Sequence, residues 1–376
     1  MIPTSKPSTG KEELSAIEAV METGWLGMGS VTKDFEAALE EYIGAKNIIA
    51  VNTGTSALHI ALDGYGIGHG HEVIVPSLTY AASIQAIIST GATPVFCDVN
   101  EKDLLVDIKD IKRRITSKTK AIMPVHYCGK PCDMDSLMAL AEEHNLVIIE
   151  DAAHAFGSKY KGRKIGSFGH ATCFSFDPIK IITCGEGGAV ALDDDEVAEK
   201  IRQKRILGID KETWRRYRNE RGWFYEVVSH GFRYHMSNIN AAIGLEQMKK
   251  VDKFITRRRE ICRRYDTAFQ STDGIYTLDI DYSETAPFTY IIRVPGMRDD
   301  MMDFLKEKEV GSGVHYIANH TQPFFRQYTR GELNVTDRLW KEILTLPLYS
   351  EMTNEEADQV IHAVTNYIIT ASLTHV

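Results

Sequence analysis

Short apolar runs alternate with helical patterns along residues 50 to 200, and this alternation constrains the fold more than any other feature. Runs such as "EVIVPS", "TPVFCDV" and "LVIIEDA" have the length of strands, and helical segments such as "DMDSLMALAEEH" separate them. Strands that alternate with helices are typical of a mostly parallel sheet whose faces are covered by helices. We therefore predict an α/β fold.

The pattern changes near residue 245, where the long charged stretch "LEQMKKVDKFITRRREICRRYDTAFQ" begins. After it, "FTYIIRVP" and the helical "RDDMMDFLKEKE" indicate a second, smaller α/β unit. A chain of 376 residues has the usual length of two domains. We predict a large domain over residues 1–245 and a small domain over 246–376. The N-terminal segment is expected to pack against the large domain or a neighbouring subunit.

Charge and composition exclude several classes of protein. The formal net charge of −9 argues against non-specific nucleic-acid binding. The first thirty residues lack a secretory signal, and no run of roughly 18 apolar residues predicts a membrane span. The six cysteines are scattered, which indicates reduced thiols, and Cys128 and Cys132 lack the second pair that a metal site needs. We expect a cytoplasmic protein without a metal.

The segment "NTGTSAL" (Asn52–Leu58) places Gly54, Thr55 and Ser56 at the start of a helix that directly follows an apolar strand. Free N–H groups and hydroxyls at a helix start form an anion site that suits a phosphate monoester. An ordinary Ser/Thr helix cap is the alternative interpretation.

Two further segments add an acid and a lysine. Asp151, in "VIIEDAAHAFGS", follows a buried strand, where it either caps a next helix or points into the crevice that binds ligands. In the crevice, its carboxylate would keep a ring nitrogen protonated. Lys180, in "FSFDPIKIITCGEGGAV", lies between a strand that carries Ser175 and a glycine-rich turn. It is either a solvated surface residue or a lysine whose amine is held in place for a chemical role.

A phosphate cradle, an acid and a lysine in this order are what a pyridoxal 5′-phosphate (PLP) enzyme needs. The lysine forms a Schiff base with the aldehyde of PLP, and the acid pairs with the pyridinium nitrogen. The sequence therefore predicts PLP as the cofactor.

These segments resemble the PLP-dependent nucleotide-sugar aminotransferases of the DegT/StrS group. The resemblance covers nearly the whole chain, from "GWLGMGSVTKDFE" through "VIIEDAAHAFGSKYKGRKIGSFG" to "LTLPLYSEMTNEEADQVI". It implies the aspartate-aminotransferase type of fold (fold type I) and a homodimer with shared active sites. It also implies transfer of an amino group from an amino acid, L-glutamate, to a keto group of a nucleotide-linked deoxyhexose. That transfer would use the Lys180 Schiff base and pyridoxamine phosphate, in amino-sugar biosynthesis such as that of lipopolysaccharide O-antigen.

The resemblance assigns roles to single residues. It implies that Lys180 is catalytic and that the cofactor is held by Gly54, Thr55, Ser56, Tyr80, Asp151, His154, Ser175, Lys180 and Arg233. It implies that the substrate contacts Met28, Tyr316 and His320. The resemblance implies that Tyr80 stacks on the cofactor ring; the alternative is that Tyr80 is a tyrosine of the apolar core. It places His154 close to the cofactor; the alternative is a histidine packed within a helix.

The chain departs from the family in "GFRYHM" (Gly231–Met236), where relatives commonly have "G-Y-N-Y-R-M". Arg233 replaces an asparagine that reaches the cofactor phosphate of the neighbouring subunit. The arginine would contact that phosphate or the substrate diphosphate. His235 replaces an arginine and has no assigned role. A cluster of arginines in "WRRYRNERGW" (Trp214–Trp223) is either solvated or a second diphosphate contact.

Other functions fit less of the sequence. Dehydratases of the same fold replace the Schiff-base lysine by histidine, so Lys180 favours transamination. A PLP-binding regulator without turnover is a further alternative, although no DNA-binding appendage is visible. A cofactor-free lysine aldolase would leave the phosphate cradle and Asp151 without a purpose.

Overall fold

The structure, a computed structural model, describes residues 1–210 and 225–374. The helices of these residues are α1 Lys11–Thr23, α2 Ser30–Ile43, α3 Gly54–Gly64, α4 Ala81–Ser89, α5 Ile108–Arg114, α6 Met134–His144, α7 Asp195–Lys204, α8 Asn238–Met248, α9 Val251–Phe269, α10 Arg298–Glu307, α11 Asn334–Glu342 and α12 Asn354–Thr374. The strands are β1 Asn47–Val51, β2 Glu72–Pro76, β3 Thr93–Cys97, β4 Thr119–Ile122, β5 Val147–Asp151, β6 Lys159–Tyr160, β7 Arg163–Lys164, β8 Ala171–Ser175, β9 Gly188–Leu192, β10 Tyr276–Thr277, β11 Tyr290–Arg293 and β12 Ile343–Leu346.

The central sheet has seven strands in the order β1-β9-β8-β5-β4-β2-β3. All pairs from β8 to β3 are parallel, and β9 runs antiparallel to both of its neighbours. Strands β1, β2, β8 and β9 are buried at every position because helices cover both faces of the sheet. The prediction of an α/β fold with a mostly parallel sheet is confirmed.

Side chains on the two faces of the sheet form separate apolar cores. Neighbouring residues of one strand point to opposite faces, so Cys173 packs with the core under α3 and α4 while Phe174 packs with the core under α2. The same alternation separates Glu150 from Asp151 on β5. At the carboxyl end of each strand, the last two residues therefore place one side chain on each face of the sheet.

A smaller unit follows the central sheet. Strands β10, β11 and β12 form an antiparallel sheet, and an apolar core joins it to helices α9, α10 and α12. The predicted boundary at residue 245 falls inside α8, whose residues pack against α1 and α2. We therefore propose that the small domain begins between α8 and α9, at residues 249–250.

The first residues of the chain lie on the small unit. Ile2 pairs with Val310, and its side chain is part of the small unit's core. The carbonyl of Thr4 accepts a hydrogen bond from the amide of Leu348 (3.0 Å). The N-terminal segment thus ties the small unit to α1, which packs on the large one.

Across the described ranges, no helix is both long and apolar enough to cross a bilayer. The six cysteines are buried and unpaired. The same ranges hold no group of three or more histidine, cysteine, aspartate or glutamate side chains that could bind a metal ion.

Candidate active site

A cavity of about 390 Å³ opens at the carboxyl ends of β5 and β8, beside the start of α3. Because the ends of parallel strands meet at one edge of a sheet, segments far apart in sequence meet here. The predicted site residues that line it are Gly54, Thr55, Tyr80, Asp151, His154, Ser175, Lys180 and Tyr316.

The start of α3 divides its polar groups between a helix cap and the cavity. Thr53 is the N-cap, and its hydroxyl accepts a hydrogen bond from the amide of Ser56 (3.0 Å). The hydroxyl of Ser56 is buried in the same cap and donates to Asn52 (2.6 Å). Thr55 is exposed and lines the cavity. The side chain of Ser56 therefore takes part in the helix cap, and its contact with phosphate stays a prediction.

Gly54 lets the end of β8 lie directly against the start of α3. A Cβ atom at Gly54 would come within 2.7 Å of the Cβ of Ser175, closer than two carbon atoms can pack. The absence of a side chain thus brings Thr55, Ser175 and the helix amides to one end of the cavity. Amides and hydroxyls together suit a phosphate group.

Asp151 is the last residue of β5 and is only 5% exposed. Its carboxylate accepts hydrogen bonds from the hydroxyl of Ser83 (2.6 Å) and the amide of Ala153 (3.1 Å). The residues that follow it form turns, so the alternative that Asp151 caps a helix is wrong. The carboxylate is fixed in place and lines the cavity.

Lys180 lies in the loop after β8, and its amine is held in the cavity. Its ammonium nitrogen is 4.2 Å from the centroid of the Phe288 ring. Withdrawal from solvent lowers the pKa of Lys180 to about 8, although the carboxylates of Asp177 and Asp151 act in the opposite direction. The lowered pKa raises the fraction of unprotonated amine near neutral pH, and the unprotonated amine is the nucleophilic form.

Further aromatic rings line the cavity that contains the amine. Tyr80 is 61% exposed at the mouth of the cavity, 5.5 Å from the ring of Tyr316, so the alternative of a core tyrosine is wrong. His154 lies in a turn rather than a helix, stacks on Phe288 and has its Nε2 3.0 Å from the Tyr316 hydroxyl. Burial, assisted by the charge of Lys180, holds the pKa of His154 well below its usual range. The imidazole is therefore neutral.

The comparison with protein families identifies this arrangement. The model of the DegT/DnrJ/EryC1/StrS aminotransferase family matches residues 7–365. The chain belongs to this family. It is a PLP-dependent aminotransferase, and the predicted resemblance and cofactor are confirmed.

Individual relatives match over nearly their whole length. The spore coat polysaccharide biosynthesis protein SpsC of Bacillus subtilis is 40% identical over 377 residues, which are 98% of this chain and 97% of SpsC. Helicobacter pylori PseC, an aminotransferase involved in the biosynthesis of pseudoaminic acid, is 27% identical with a TM-score of 0.91 and covers 98% of this chain and 99% of its own. A Streptococcus pneumoniae protein solved in its PLP-form is 29% identical with a TM-score of 0.91, covering 98% and 99%.

The residues of this family member's cavity fit PLP. Gly54 brings the start of α3 against Ser175, and this contact places amides and hydroxyls that suit a phosphate at one end of the cavity. Asp151 offers a fixed carboxylate to a ring nitrogen, and Lys180 offers an amine. The buried Nδ1 of His154 has no hydrogen-bond partner among the described residues, so a polar atom remains available at the cavity wall.

Three other predicted residues of this aminotransferase lie away from Lys180. Met28 and Arg233 line a separate cavity of about 340 Å³. His320 is 8% exposed, and its ring nitrogens contact Ser77 (2.7 Å) and Asp337 (2.9 Å), so it joins the end of β2 to α11. The arginine cluster of residues 214–223 lies outside the described residues.

The structure adds residues that sequence reasoning missed. Asp177, Glu186 and His315 line the Lys180 cavity, and Phe288 contacts the amine. Burial and the charge of Lys180 lower the pKa of His315 to about 4, so this imidazole is neutral as well. Asp177 and Glu186 lie close to Lys180 in the sequence, and this proximity could have indicated that they line the same cavity. Phe288 is more than a hundred residues away from Lys180 in the sequence, and no motif around it predicts a contact with the amine.

Proposed function

We propose that this PLP-dependent sugar aminotransferase transfers an amino group from L-glutamate to a keto group of a nucleotide-linked deoxyhexose. The observation that carries the proposal is one cavity lined by the start of α3, the carboxylate of Asp151 and the amine of Lys180. The names of SpsC and PseC, which refer to polysaccharide and pseudoaminic acid biosynthesis, support a sugar as the acceptor. A cytoplasmic location and an O-antigen product remain predictions from the sequence.

When bound, PLP supplies an aldehyde that condenses with amines and a ring that takes up an electron pair. The protein supplies the rest. The amides of α3, Thr55 and Ser175 bind the phosphate, and Asp151 keeps a proton at the ring nitrogen by charge pairing. Tyr80 contributes an exposed aromatic face at the mouth, which suits ring stacking and the exclusion of water.

Lys180 moves the proton. Its amine would hold PLP and, once free, would accept the proton that leaves the α-carbon of the amino donor and pass it to the cofactor. A positioned general base contributes about 10²–10⁴-fold to a rate when its pKa lies near the working pH. The pKa of about 8 meets that condition. The neutral rings of His154 and His315 leave Lys180 as the cationic side chain among the described residues that line the cavity.

The donor half of the proposal is tested by adding L-glutamate to the PLP-loaded protein. We expect the absorbance of lysine-bound PLP to disappear and one equivalent of 2-oxoglutarate to form per subunit. D-glutamate serves as the matched control and is expected to leave the spectrum unchanged. Conversion by another L-amino acid but not by L-glutamate would overturn the donor assignment. A panel of nucleotide ketosugars, added afterwards, should restore the original spectrum only with the correct acceptor.

Charge balance supports a site completed by a second copy of the chain. Asp151, Asp177 and Glu186 give the cavity three carboxylates against one lysine, yet phosphate, diphosphate and glutamate are anions. Arg233 is exposed and lines the other cavity. We propose a homodimer in which Arg233 reaches the partner's cofactor phosphate or substrate diphosphate.

Hybrid dimers test this sharing. Lys180→Ala and Arg233→Met chains, each of low activity alone, are co-expressed with different tags and the hybrid is purified. In the hybrid, one site combines Lys180 from one chain with Arg233 from the other, so we expect activity well above either parent dimer. Activity no higher than that of the parents would show that Arg233 serves its own subunit or neither site.

A further inference from the structure

Arg258, in the middle of α9, is a buried cation that the reaction described above does not use. It is 2% exposed. Its Nη1 donates to the carbonyls of Phe288 (3.0 Å) and Leu348 (3.2 Å), and its Nε donates to the hydroxyl of Ser350 (3.1 Å). Among the residues that the structure describes, all of these partners are neutral. Burial lowers its pKa to about 10, so the side chain still carries its charge at neutral pH.

A buried guanidinium without a carboxylate partner is costly because it loses its hydration shell. The forked geometry of arginine lets the buried side chain donate hydrogen bonds to several groups at once. One planar group can hold three points on separate segments, which lysine and neutral side chains do less well. The segments that meet at Arg258 are α9, the approach to β11 and the loop after β12. The side chain therefore fixes the carbonyl of Phe288 relative to the small unit.

Phe288 connects Arg258 to the amine of the site. Its carbonyl is held by Arg258, and its amide donates to the carbonyl of Cys128 (3.1 Å). Its ring stacks on His154, with centroids 4.2 Å apart and an interplanar angle of 23°. The amine of Lys180 lies 4.2 Å from the centroid of the same ring. The backbone of Phe288 is thus fixed at both polar groups, and its ring forms a wall of the amine's environment.

We propose that Arg258 is a positioning residue for Lys180: by holding the carbonyl of Phe288, it keeps the Phe288 ring against the amine and keeps water away from it. This inference rests on the proposed role of Lys180 in the reaction. It also links the position of the small unit to the state of the amine, since Leu348 and Ser350 belong to that unit. A shift of either segment would move the ring.

The direction of the effect follows from the groups around the amine. Asp177 and Asp151 favour its charged form, and His154 and His315 face it as neutral rings. Desolvation is the largest cause of the lowered pKa of Lys180. Displacing the ring admits water, which raises the pKa, whereas losing the contact between the ammonium and the ring face lowers it by a smaller amount. The net change is therefore upward.

The test measures protonation of Lys180 directly, in the full-length chain without added PLP. The rate at which acetic anhydride modifies Lys180 is followed from pH 6 to 11 by mass spectrometry of the Lys180 peptide. We expect a midpoint near about 8 for the wild type. Arg258→Met should raise it by about one pH unit, part of the way to the ordinary lysine value of ~10.4. Phe288→Leu should give a similar rise, and the double variant should show no further change because both act through one contact.

Arg259→Met is the matched control. Arg259 also leaves α9 to donate to a backbone carbonyl, that of Thr285 (2.8 Å), but it does not hold Phe288. Its replacement should leave the midpoint unchanged. An unchanged midpoint in Arg258→Met, alongside a raised one in Phe288→Leu, would overturn the proposal. So would additive shifts in the double variant.

Arg258→Lys covers the case in which the methionine variant does not fold, as judged by its thermal melt. Lysine keeps the charge but loses the fork, so the midpoint should rise by a smaller amount in the same direction. A folded Arg258→Lys chain with the wild-type midpoint would contradict the positioning role. Because no substrate is present, an error in the proposed donor or sugar leaves this readout intact, and failure of Lys180 to bind PLP would be detected separately by covalent trapping.

Discussion

Lys180→Ala is expected to lower turnover by at least about 10²–10⁴-fold, the usual contribution of a positioned general base. The variant loses both the amine that attaches PLP and the group that moves the proton. The phosphate contacts at Gly54, Thr55 and Ser175 remain, so PLP should still bind, although without a covalent link. The fold should be preserved because the amine, set over the ring of Phe288, lies at the cavity rather than within an apolar core.

Lys164→Ala is the matched control for this prediction. Burial lowers the pKa of Lys164 to about 8, as for Lys180, but Lys164 lies on β7 beside Tyr42 and does not line the cavity. Single-turnover assays with L-glutamate should therefore give a near-normal rate for Lys164→Ala and a strongly reduced rate for Lys180→Ala. Near-normal turnover in Lys180→Ala would remove the catalytic role assigned to it.

Asp151→Asn is expected to have the second large effect. The amide keeps the shape of the carboxylate, its oxygen can accept the hydrogen bond from the amide of Ala153, and its NH2 group can donate to the hydroxyl oxygen of Ser83, so the end of β5 should stay in place. It cannot hold a proton at a ring nitrogen by charge pairing. Breaking a buried ion pair costs about 3–5 kcal/mol, which corresponds to a rate loss on the order of 10²–10⁴-fold.

Two readouts separate this role from an indirect one. The kcat of Asp151→Asn should fall far more than its affinity for PLP, because phosphate binding does not depend on the acid. Asp177→Asn removes another carboxylate that opposes the lowered pKa of Lys180, and its effect on kcat should be small. Equal losses in both variants would mean that Asp151 acts only through the charge state of the lysine.

The parts of the site that the sequence predicted are those with a local signal. Asp151 and Lys180 follow apolar strands, and Thr55 opens a helix after a strand, so parallel-sheet geometry alone brings them to one edge. Ser56 was assigned to phosphate because a hydroxyl at a helix start suits either a cap or a ligand. The hydrogen bonds to Asn52 and Thr53 show that this serine takes part in the cap, and its contact with phosphate stays a prediction.

The remaining parts depend on contacts between distant segments. His320 reads as a polar residue in a loop, but Ser77 and Asp337 bury it under α11. No pattern in the sequence around Ile2 predicts its pairing with Val310. Phe288 and Arg258 reach Lys180 only through the packing of α9 on the approach to β11. Neither a hydrophobic period nor a short motif encodes such contacts.

Covalent trapping tests the central claim most directly. The protein is incubated with PLP, reduced with sodium borohydride and digested, and the pyridoxyl group is located by mass spectrometry. We predict stoichiometric labelling at Lys180 in the wild type and none at this peptide in Lys180→Ala, with Lys164 unlabelled in both. Labelling at another lysine, or none in the wild type, would contradict the assignment of this cavity as the PLP site.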